Sequence, residues 1–221
     1  MRKSIVIICD GKFPKSEYPR YLIRTADMVI CCDGALKKYL RHAESIFGEK
    51  RLPDAVIGDM DSLSAGMQQK YASIIIKVDE QENNDQTKAF TWVMENIPAI
   101  GDIYILGATG GREDHTIGNI SLLMEYAQKW NLESKGINVS MITDHGTLFA
   151  ITDSFEMECG SGRSISIFSP DNELRIHSEG LAWKTDDVIF DNWWKASLNR
   201  SDKDRVRLEF SKKSVALIMM D

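Results

Sequence analysis

Pro53-Asp54-Ala55-Val56-Ile57-Gly58-Asp59-Met60-Asp61-Ser62 is the stretch on which the fold turns. A short apolar run, Ala55-Val56-Ile57, gives way to a glycine and then to two carboxylates one residue apart. The pattern predicts a buried strand whose carboxyl end opens onto a loop. It recurs on both sides. Val29-Ile30-Cys31-Cys32 leads into Asp33-Gly34, and Ile103-Tyr104-Ile105-Leu106 leads into Gly107-Ala108-Thr109-Gly110-Gly111-Arg112-Glu113-Asp114-His115. Strands ending in carboxylates and glycines describe the carboxyl edge of a parallel sheet, where open α/β folds bind ligands. Carboxylates converging there repel one another without a counter-ion, and oxygen ligands suit a cation of the magnesium type. The pattern implies metal-assisted chemistry on a phosphorylated substrate.

The rest of the first 136 residues supports such a sheet. Strand-like runs at 4–9, 28–32, 55–57, 74–78 and 103–106 alternate with helical patterns at 18–25, 35–47, 65–71, 85–96 and 116–130. That alternation predicts a Rossmann-like α/β domain with crossover helices over residues 1–136. Beyond Gly136 the pattern changes. Short strands are expected at 137–143, 146–151, 164–168, 173–178, 188–190, 206–210 and 215–219, separated by polar turns such as Gly160-Ser161-Gly162. They predict an all-β domain over residues 137–221.

Composition bounds the class. The 221 residues are 43% apolar and 27% charged, as in ordinary globular chains. A formal net charge of −6 argues against a nucleic-acid surface. No run approaches the ~20 apolar residues that span a bilayer. The basic start, Met1-Arg2-Lys3, precedes five apolar residues and then Asp10, which predicts a first strand rather than a signal peptide. The four cysteines make no C-x-x-C pair and no metal spacing with the four histidines. Buried thiols in a reducing, cytoplasmic setting are expected.

Three segments carry chemistry. Alternate side chains of an extended loop point the same way, so Asp59 and Asp61 are placed to share a cation, although a helix cap would use the same residues. Gln81-Glu82-Asn83-Asn84-Asp85 opens a helix on the same sheet edge. Gly110-Gly111-Arg112 offers close backbone approach and a guanidinium to phosphate oxygens, but fits neither the dinucleotide nor the P-loop pattern. Asp10-Gly11 reads as a turn. Adjacent Trp193 and Trp194, taken as strand residues, point to opposite faces, leaving one to stack on a planar ring.

The order Asp33-Gly34, Gly58-Asp59-x-Asp61-Ser62, Asn84-Asp85, then Gly110-Gly111-Arg112-x-Asp114-His115 with Asn119, resembles the thiamin pyrophosphokinase family. Ser197-Leu198-Asn199 is similar to the Ser-x-Asn-type segment of that family's β domain. Two features depart from the family pattern: Asn84-Asp85 with Lys88 stands where a Thr-Asp pair is frequent, and Asn192-Trp193-Trp194-Lys195 replaces smaller residues. The resemblance implies an α/β domain followed by a β-sandwich. It implies a homodimer with thiamin sites between subunits, neither nucleic-acid- nor membrane-bound. The implied reaction moves a pyrophosphoryl group from ATP to the thiamin hydroxyl, with Mg2+, giving thiamin diphosphate and AMP. By motif, Asp59, Asp61 and Asp85 are the implied magnesium and phosphate carboxylates, with Asp114 completing the catalytic set. Asp33, Gly34, Ser62, Gln81, Gly110, Gly111, Arg112, His115 and Asn119 are implied around the nucleotide, and Trp193, Ser197 and Asn199 on the thiamin side. Any of Asp59, Asp61, Asp85 and Asp114 is placed to accept the hydroxyl proton. The competing readings are a magnesium-dependent phosphotransferase or nucleotidyltransferase acting on another alcohol, and a nucleotide sensor without turnover.

Overall fold

Ile5, Val6, Ile7 and Ile8 have no solvent-exposed surface. A strand apolar on both faces must be covered on both, which is the signature of a central parallel strand. In the computed structural model, which describes all 221 residues, this run is β1 (Lys3–Ile8), paired in parallel with neighbours on both sides. The elements that follow are α1 (Glu17–Thr25), β2 (Met28–Cys32), α2 (Ala35–Phe47), β3 (Ala55–Gly58), α3 (Ala65–Lys70), β4 (Ile75–Lys77), α4 (Asp85–Asn96), β5 (Ile100–Leu106), α5 (Glu113–Lys129), α6 (Leu132–Lys135) and β6 (Asn138–Thr143).

The chain divides into two units, Met1–Leu122 with Gly136–Asp144, and Leu123–Lys135 with His145–Asp221. In the first, the strand order is β6-β5-β1-β2-β3-β4, parallel throughout. β6 thus continues this sheet, although it lies beyond residue 136. Parallel pairing puts the carboxyl ends of β1, β2, β3 and β5 on one edge. α2 lays Leu36, Tyr39, Ala43 and Ile46 against the core at helical spacing. α4 starts where the Asn84 side chain accepts a hydrogen bond from the Thr87 amide (3.0 Å), the cap preference of Asn.

The second unit carries β7 (Gly146–Ile151), β8 (Phe155–Glu158), β9 (Ser164–Phe168), β10 (Ile176–Glu179), β11 (Ala196–Arg200), β12 (Arg205–Phe210) and β13 (Ala216–Met220). They pair antiparallel in the orders β11-β9-β13-β7 and β10-β12-β8. Ile165, Ile167, Ile176, Val206, Leu208 and Ile218 share one core cluster. Their alternation with outward polar residues is what a sheet with one buried face requires. The chain is therefore mixed α/β. No helix is long and apolar enough to cross a membrane.

Three expectations need correction. Residues 188–190 are loop, not strand: Phe190 is buried, so an apolar run here reflects core packing without a ladder. Of 173–178, only the part from Ile176 is strand, because Asp171 holds the preceding turn. Trp193 and Trp194 sit in a turn closed by Lys195 N donating to Asn192 O (3.1 Å) and Ser197 N to Trp194 O (2.9 Å). The opposite-face argument does not apply there, and both rings are exposed.

Asp171 tests the second unit. Ser214 Oγ donates to its carboxylate (2.7 Å), Glu173 N donates to it (2.9 Å), and Lys212 Nζ lies 3.1 Å away. Chiefly through the Ser214 bond, the carboxyl is lowered to about 2. A carboxyl held below its ordinary value of about 3.9 stabilises the fold fully above that value, and the contribution vanishes as pH falls through about 2. Asp171→Asn is expected to cost about 1 kcal/mol at pH 7, allowing for solvent screening. The gap from wild type should narrow in denaturant melts between pH 4 and pH 2; a gap independent of pH would contradict the assignment.

Candidate active site

The site grows from the strand ends of the first unit. β2 runs into Asp33, which is 1% exposed and adopts φ 33°. Its Oδ2 accepts from Ser62 N (3.1 Å), while its Oδ1 is buried with no hydrogen-bond partner. Burial above all, then the neighbouring Asp85 and Asp61, raise this carboxyl to about 6 against the opposing Ser62 bond.

β3 ends at Gly58, where a Cβ would lie 2.8 Å from Asp33 Cβ and 3.0 Å from Asp85 Oδ1. Only glycine lets the Asp33 and Asp85 side chains converge across this strand end. Asp59 follows. Its Oδ1 accepts from Asp61 N (3.2 Å), and its Oδ2 accepts from Gln81 Nε2 (3.2 Å) and Lys88 Nζ (3.1 Å). The Lys88 bond leads in holding the Asp59 carboxyl below its usual range. Ser62 Oγ donates to Asp61 Oδ1 (2.9 Å). Asp33, Asp59 and Asp61 each bring an oxygen into a group spanning no more than 4.8 Å.

Asp85, expected with the metal ligands, opens α4 beside this group, 3.6 Å from Lys88 Nζ. Its place in the three-oxygen group is taken by Asp33. Burial is the main cause of its raised carboxyl pKa. Lys88 itself has a side chain only 2% exposed. Burial favours the neutral amine, but the carboxylates of Asp59 and Asp85 outweigh it and hold Lys88 charged.

A cleft of about 470 Å³ is lined by Asp59, Asp61, Asp85 and Lys88, and also by Asp10, Gly11, Ser62, Gln81, Gly111, Arg112, His115 and Asn119. Asn119 ties its walls: its Oδ1 accepts from Asn84 Nδ2 (2.8 Å), its Nδ2 donates to Ala108 O (2.8 Å), and its own carbonyl accepts from Gln86 Nε2 (3.1 Å). Arg112 makes a two-point pair with Asp114, Nη2 to Oδ2 at 2.5 Å and Nε to Oδ1 at 3.1 Å. Asp114 is therefore turned to Arg112 at the surface and is absent from the cleft wall. Gly34 caps α2 against Asp10, whose Oδ2 would stand 2.5 Å from a Cβ there.

Asp10 and Lys88 are the two contributors that pattern reasoning passed over. Asp10-Gly11 carries the same strand-end signature as Asp33-Gly34, and Lys88 lies one helical turn from Asp85. The loop after β1 is pinned on three sides. Gly11 N donates to Gly107 O (2.7 Å) and Lys12 N to Thr109 O (2.8 Å). Lys38 Nζ pairs with Asp10 Oδ1 (2.8 Å) and donates to Gly11 O (2.7 Å). Asp144 Oδ1, just after β6, accepts from Lys15 N (2.9 Å), Ser16 N (2.9 Å) and Ser16 Oγ (2.8 Å). A Cβ on Gly11 would come within 2.4 Å of Gly107 O, so no larger residue fits.

Trp193, Ser197 and Asn199 belong to the second unit. Asn199 is buried and its amide is used on backbone: Oδ1 accepts from Trp183 N (3.2 Å) and Nδ2 donates to Trp183 O (2.6 Å). Trp183, Ile189, Trp193, Trp194 and Leu198 are all exposed. Trp193 tilts against Phe168, with ring centroids 5.1 Å apart.

Residues 19–134 match the family model described as thiamin pyrophosphokinase, catalytic domain, and residues 146–217 the one described as thiamin pyrophosphokinase, substrate-binding domain. The chain is 29% identical over 176 residues to thiamine pyrophosphokinase 1 of Oryza sativa subsp. japonica, a stretch covering 72% of this chain and 63% of the rice protein. It is 34% identical over 76 residues to thiamine pyrophosphokinase of Bacillus subtilis, covering 33% of this chain and 35% of that protein. The chain thus spans less than two thirds of the length of these curated relatives. Among solved structures, thiamin pyrophosphokinase from Candida albicans superposes with a TM-score of 0.79 at 18% identity, covering 99% of this chain and 88% of that one. Thiamine pyrophosphokinase from Bacillus subtilis superposes with a TM-score of 0.74 at 19% identity, covering 99% of both. At these identities the structural likeness concerns the fold.

Proposed function

Since the chain belongs to the thiamin pyrophosphokinase family, we propose that it transfers a pyrophosphoryl group from ATP to the hydroxyl of thiamin, releasing AMP. The observation that carries this reading is the meeting of Asp33, Asp59 and Asp61 oxygens within 4.8 Å, with Asp59 and Asp61 lining the cleft of the first unit and Asp33 buried beside them. The donor set fits magnesium: all the ligand atoms are carboxylate oxygens, and the buried Asp33 Oδ1 lacks any other partner. Asp59, Asp61 and Asp33 would hold the ion, which when bound neutralises charge on the phosphates.

The chain's own residues do the rest. Gln81 and Lys88 fix the Asp59 carboxylate in one orientation. The turn at Gly110-Gly111 lets backbone approach phosphate oxygens, and Arg112, oriented by its two-point pair with Asp114, donates to them. Asp85 accepts the proton of the attacking hydroxyl at its carboxylate. Its burial makes it a stronger base than an exposed aspartate. Ser62, His115 and Asn119 shape the nucleotide side of the cleft, with Gly34 admitting Asp10 beside it.

We place ATP handling in the Rossmann-like first domain, which β6 extends past residue 136, and thiamin binding in a β-sandwich built from β7 to β13. Trp193 and Ser197 are the thiamin contacts, and Asn199 holds the Trp183 backbone of the same domain. The exposed tryptophans support a homodimer with thiamin bound where subunits meet, since Trp is favoured at interfaces. The free buried thiols of Cys9, Cys31 and Cys32 support a reducing, cytoplasmic setting.

A coupled assay for AMP with purified protein, ATP and Mg2+ tests the reaction. AMP should form only when thiamin is added. AMP formed equally with an unrelated alcohol would favour a broader phosphotransferase, and ATP binding without AMP a nucleotide sensor.

A further inference from the structure

Between Asp59 and Asp61 stands Met60, a bulky side chain in the left-handed conformation at φ 69°. Side chains other than glycine, asparagine and aspartate seldom adopt it, and such a residue persists only where its surroundings hold it. Two surroundings do. The Met60 side chain is 2% exposed and sits in the same core cluster as Leu63. Its carbonyl is gripped from behind the loop: Gln68 Nε2 donates to Met60 O (2.8 Å) and to Leu63 O (2.9 Å).

Gln68 lies on α3, a helix of six residues that has no fully buried side chain. Its only apolar hold on the core is the half-buried Met67, which packs against the same cluster as Met60 and Leu63. Its one specific attachment to the loop is the Gln68 amide bridging the two carbonyls, while the Ser64 cap closes its own start. The result is a bracket: an apolar anchor below the loop and a two-point donor behind it. Between them the peptide is turned so that the side chains on either side of Met60 both reach the oxygen group.

We propose that Gln68 and Met60 are positioning residues for the Asp59 and Asp61 carboxylates. They set the affinity for a divalent cation without touching it. This rests on the reading that these carboxylates hold the metal. Groups that orient metal ligands without binding the metal typically change its affinity about 10- to 100-fold when removed. The bracket works through the backbone and not on the ligand atoms, so the lower figure applies.

The test is a titration of nucleotide-free protein with Mn2+ alone, followed by electron paramagnetic resonance, on wild type, Gln68→Met, Gln68→Lys, Met60→Gly and Asp61→Asn. Gln68→Met keeps chain length and helix propensity but loses the donor. It should weaken Mn2+ binding about tenfold. In turnover it should raise the Mg2+ concentration for half-maximal rate by the same factor. The kcat at saturating Mg2+ and the KM for the alcohol should stay within about twofold. Gln68→Lys restores a donor and should recover most of the lost affinity. Met60→Gly relieves the backbone conformation but removes the anchor, and should also weaken Mn2+. If Gln68→Met binds Mn2+ like wild type while Asp61→Asn loses it, the bracket is only structural and the proposal falls. If Asp61→Asn also binds like wild type, it is the carboxylate reading that falls.

Discussion

Asp61→Asn and Asp85→Asn should each lower kcat/KM for pyrophosphoryl transfer by at least about 100-fold, equivalent to about 2.7 kcal/mol of transition-state stabilisation. The substitution keeps shape and one acceptor oxygen, so Ser62 Oγ retains a partner at position 61. What disappears is charge. At 61 the oxygen group loses one of the three carboxylates that make it attractive to a hard cation. At 85 the site loses the base, and Lys88 loses the second of its two carboxylates. The two variants should differ in signature. Asp61→Asn should shift the Mg2+ requirement upward, whereas Asp85→Asn should lower kcat with little change in that requirement. Circular dichroism melts should show both folded, because Asp61 is exposed and Asp85 lies at a helix start. An active Asp61→Asn enzyme with an unchanged magnesium dependence would sink the assignment.

Lys88→Met should have the largest effect on stability. Its ammonium lies 3.1 Å from Asp59 and 3.6 Å from Asp85, on a side chain 2% exposed. Methionine fills the space, so packing is nearly conserved and the electrostatic loss is isolated. Asp33, Asp59, Asp61 and Asp85 then face one another with no internal cation. Removing one partner of a buried pair costs about 3–5 kcal/mol. Asp85 is a third exposed, so the lower end is expected, about 3 kcal/mol, or a fall of about 6–12 °C in thermal midpoint. Millimolar Mg2+ should restore part of that loss in Lys88→Met and add less to wild type. A metal-free Lys88→Met protein that melts with wild type would show that the pair contributes nothing.

Much of the fold could be read because its strands are buried on both faces. Met28–Cys32, Ala35–Phe47 and Asp85–Asn96 fall where hydrophobic period and cap residues put them. β5 begins at Ile100, three residues before the expected start: Gly101 and Asp102 interrupt the apolar run, yet Ile100 pairs with β1 and Asp102 with both β1 and β6, Gly101 falling at the shift in register. The second unit was less legible for a physical reason. Its loops are held by side-chain bonds to backbone, as Asn199 holds Trp183, and period-2 patterns carry no record of such bonds. β8 alternates Phe155, Glu156, Met157 and Glu158, yet four residues are too few to stand out.

The candidate site divides in the same way. Carboxylates at strand ends announce themselves because nothing else explains a charge after an apolar run. Lys88 did not, because on a helix it reads as a solvated cation until the fold buries it. Asp114 read as catalytic because it sits in the phosphate-like turn, but its geometry ties it to Arg112. The resemblance sets Asp33 near the nucleotide and Asp85 on the metal, whereas burial, an unpartnered Oδ1 and a place in the oxygen group bring Asp33 forward.

The three bonds that Asp144 accepts from Lys15 and Ser16 have a consequence for how the protein comes into being. They join residues about 130 positions apart, and the seam between Gly11 and Gly107 spans nearly a hundred. Contacts that distant close late, since the chain entropy lost in bringing them together must first be offset by nearer pairings. During synthesis, then, β1 to β4 have emerged while their first loop is held only by Lys38 of α2, before either the seam to Gly107 or the Asp144 bonds can close. The cleft is thus among the last features of this unit to form, and a partly made chain has a sheet before it has a place for a nucleotide.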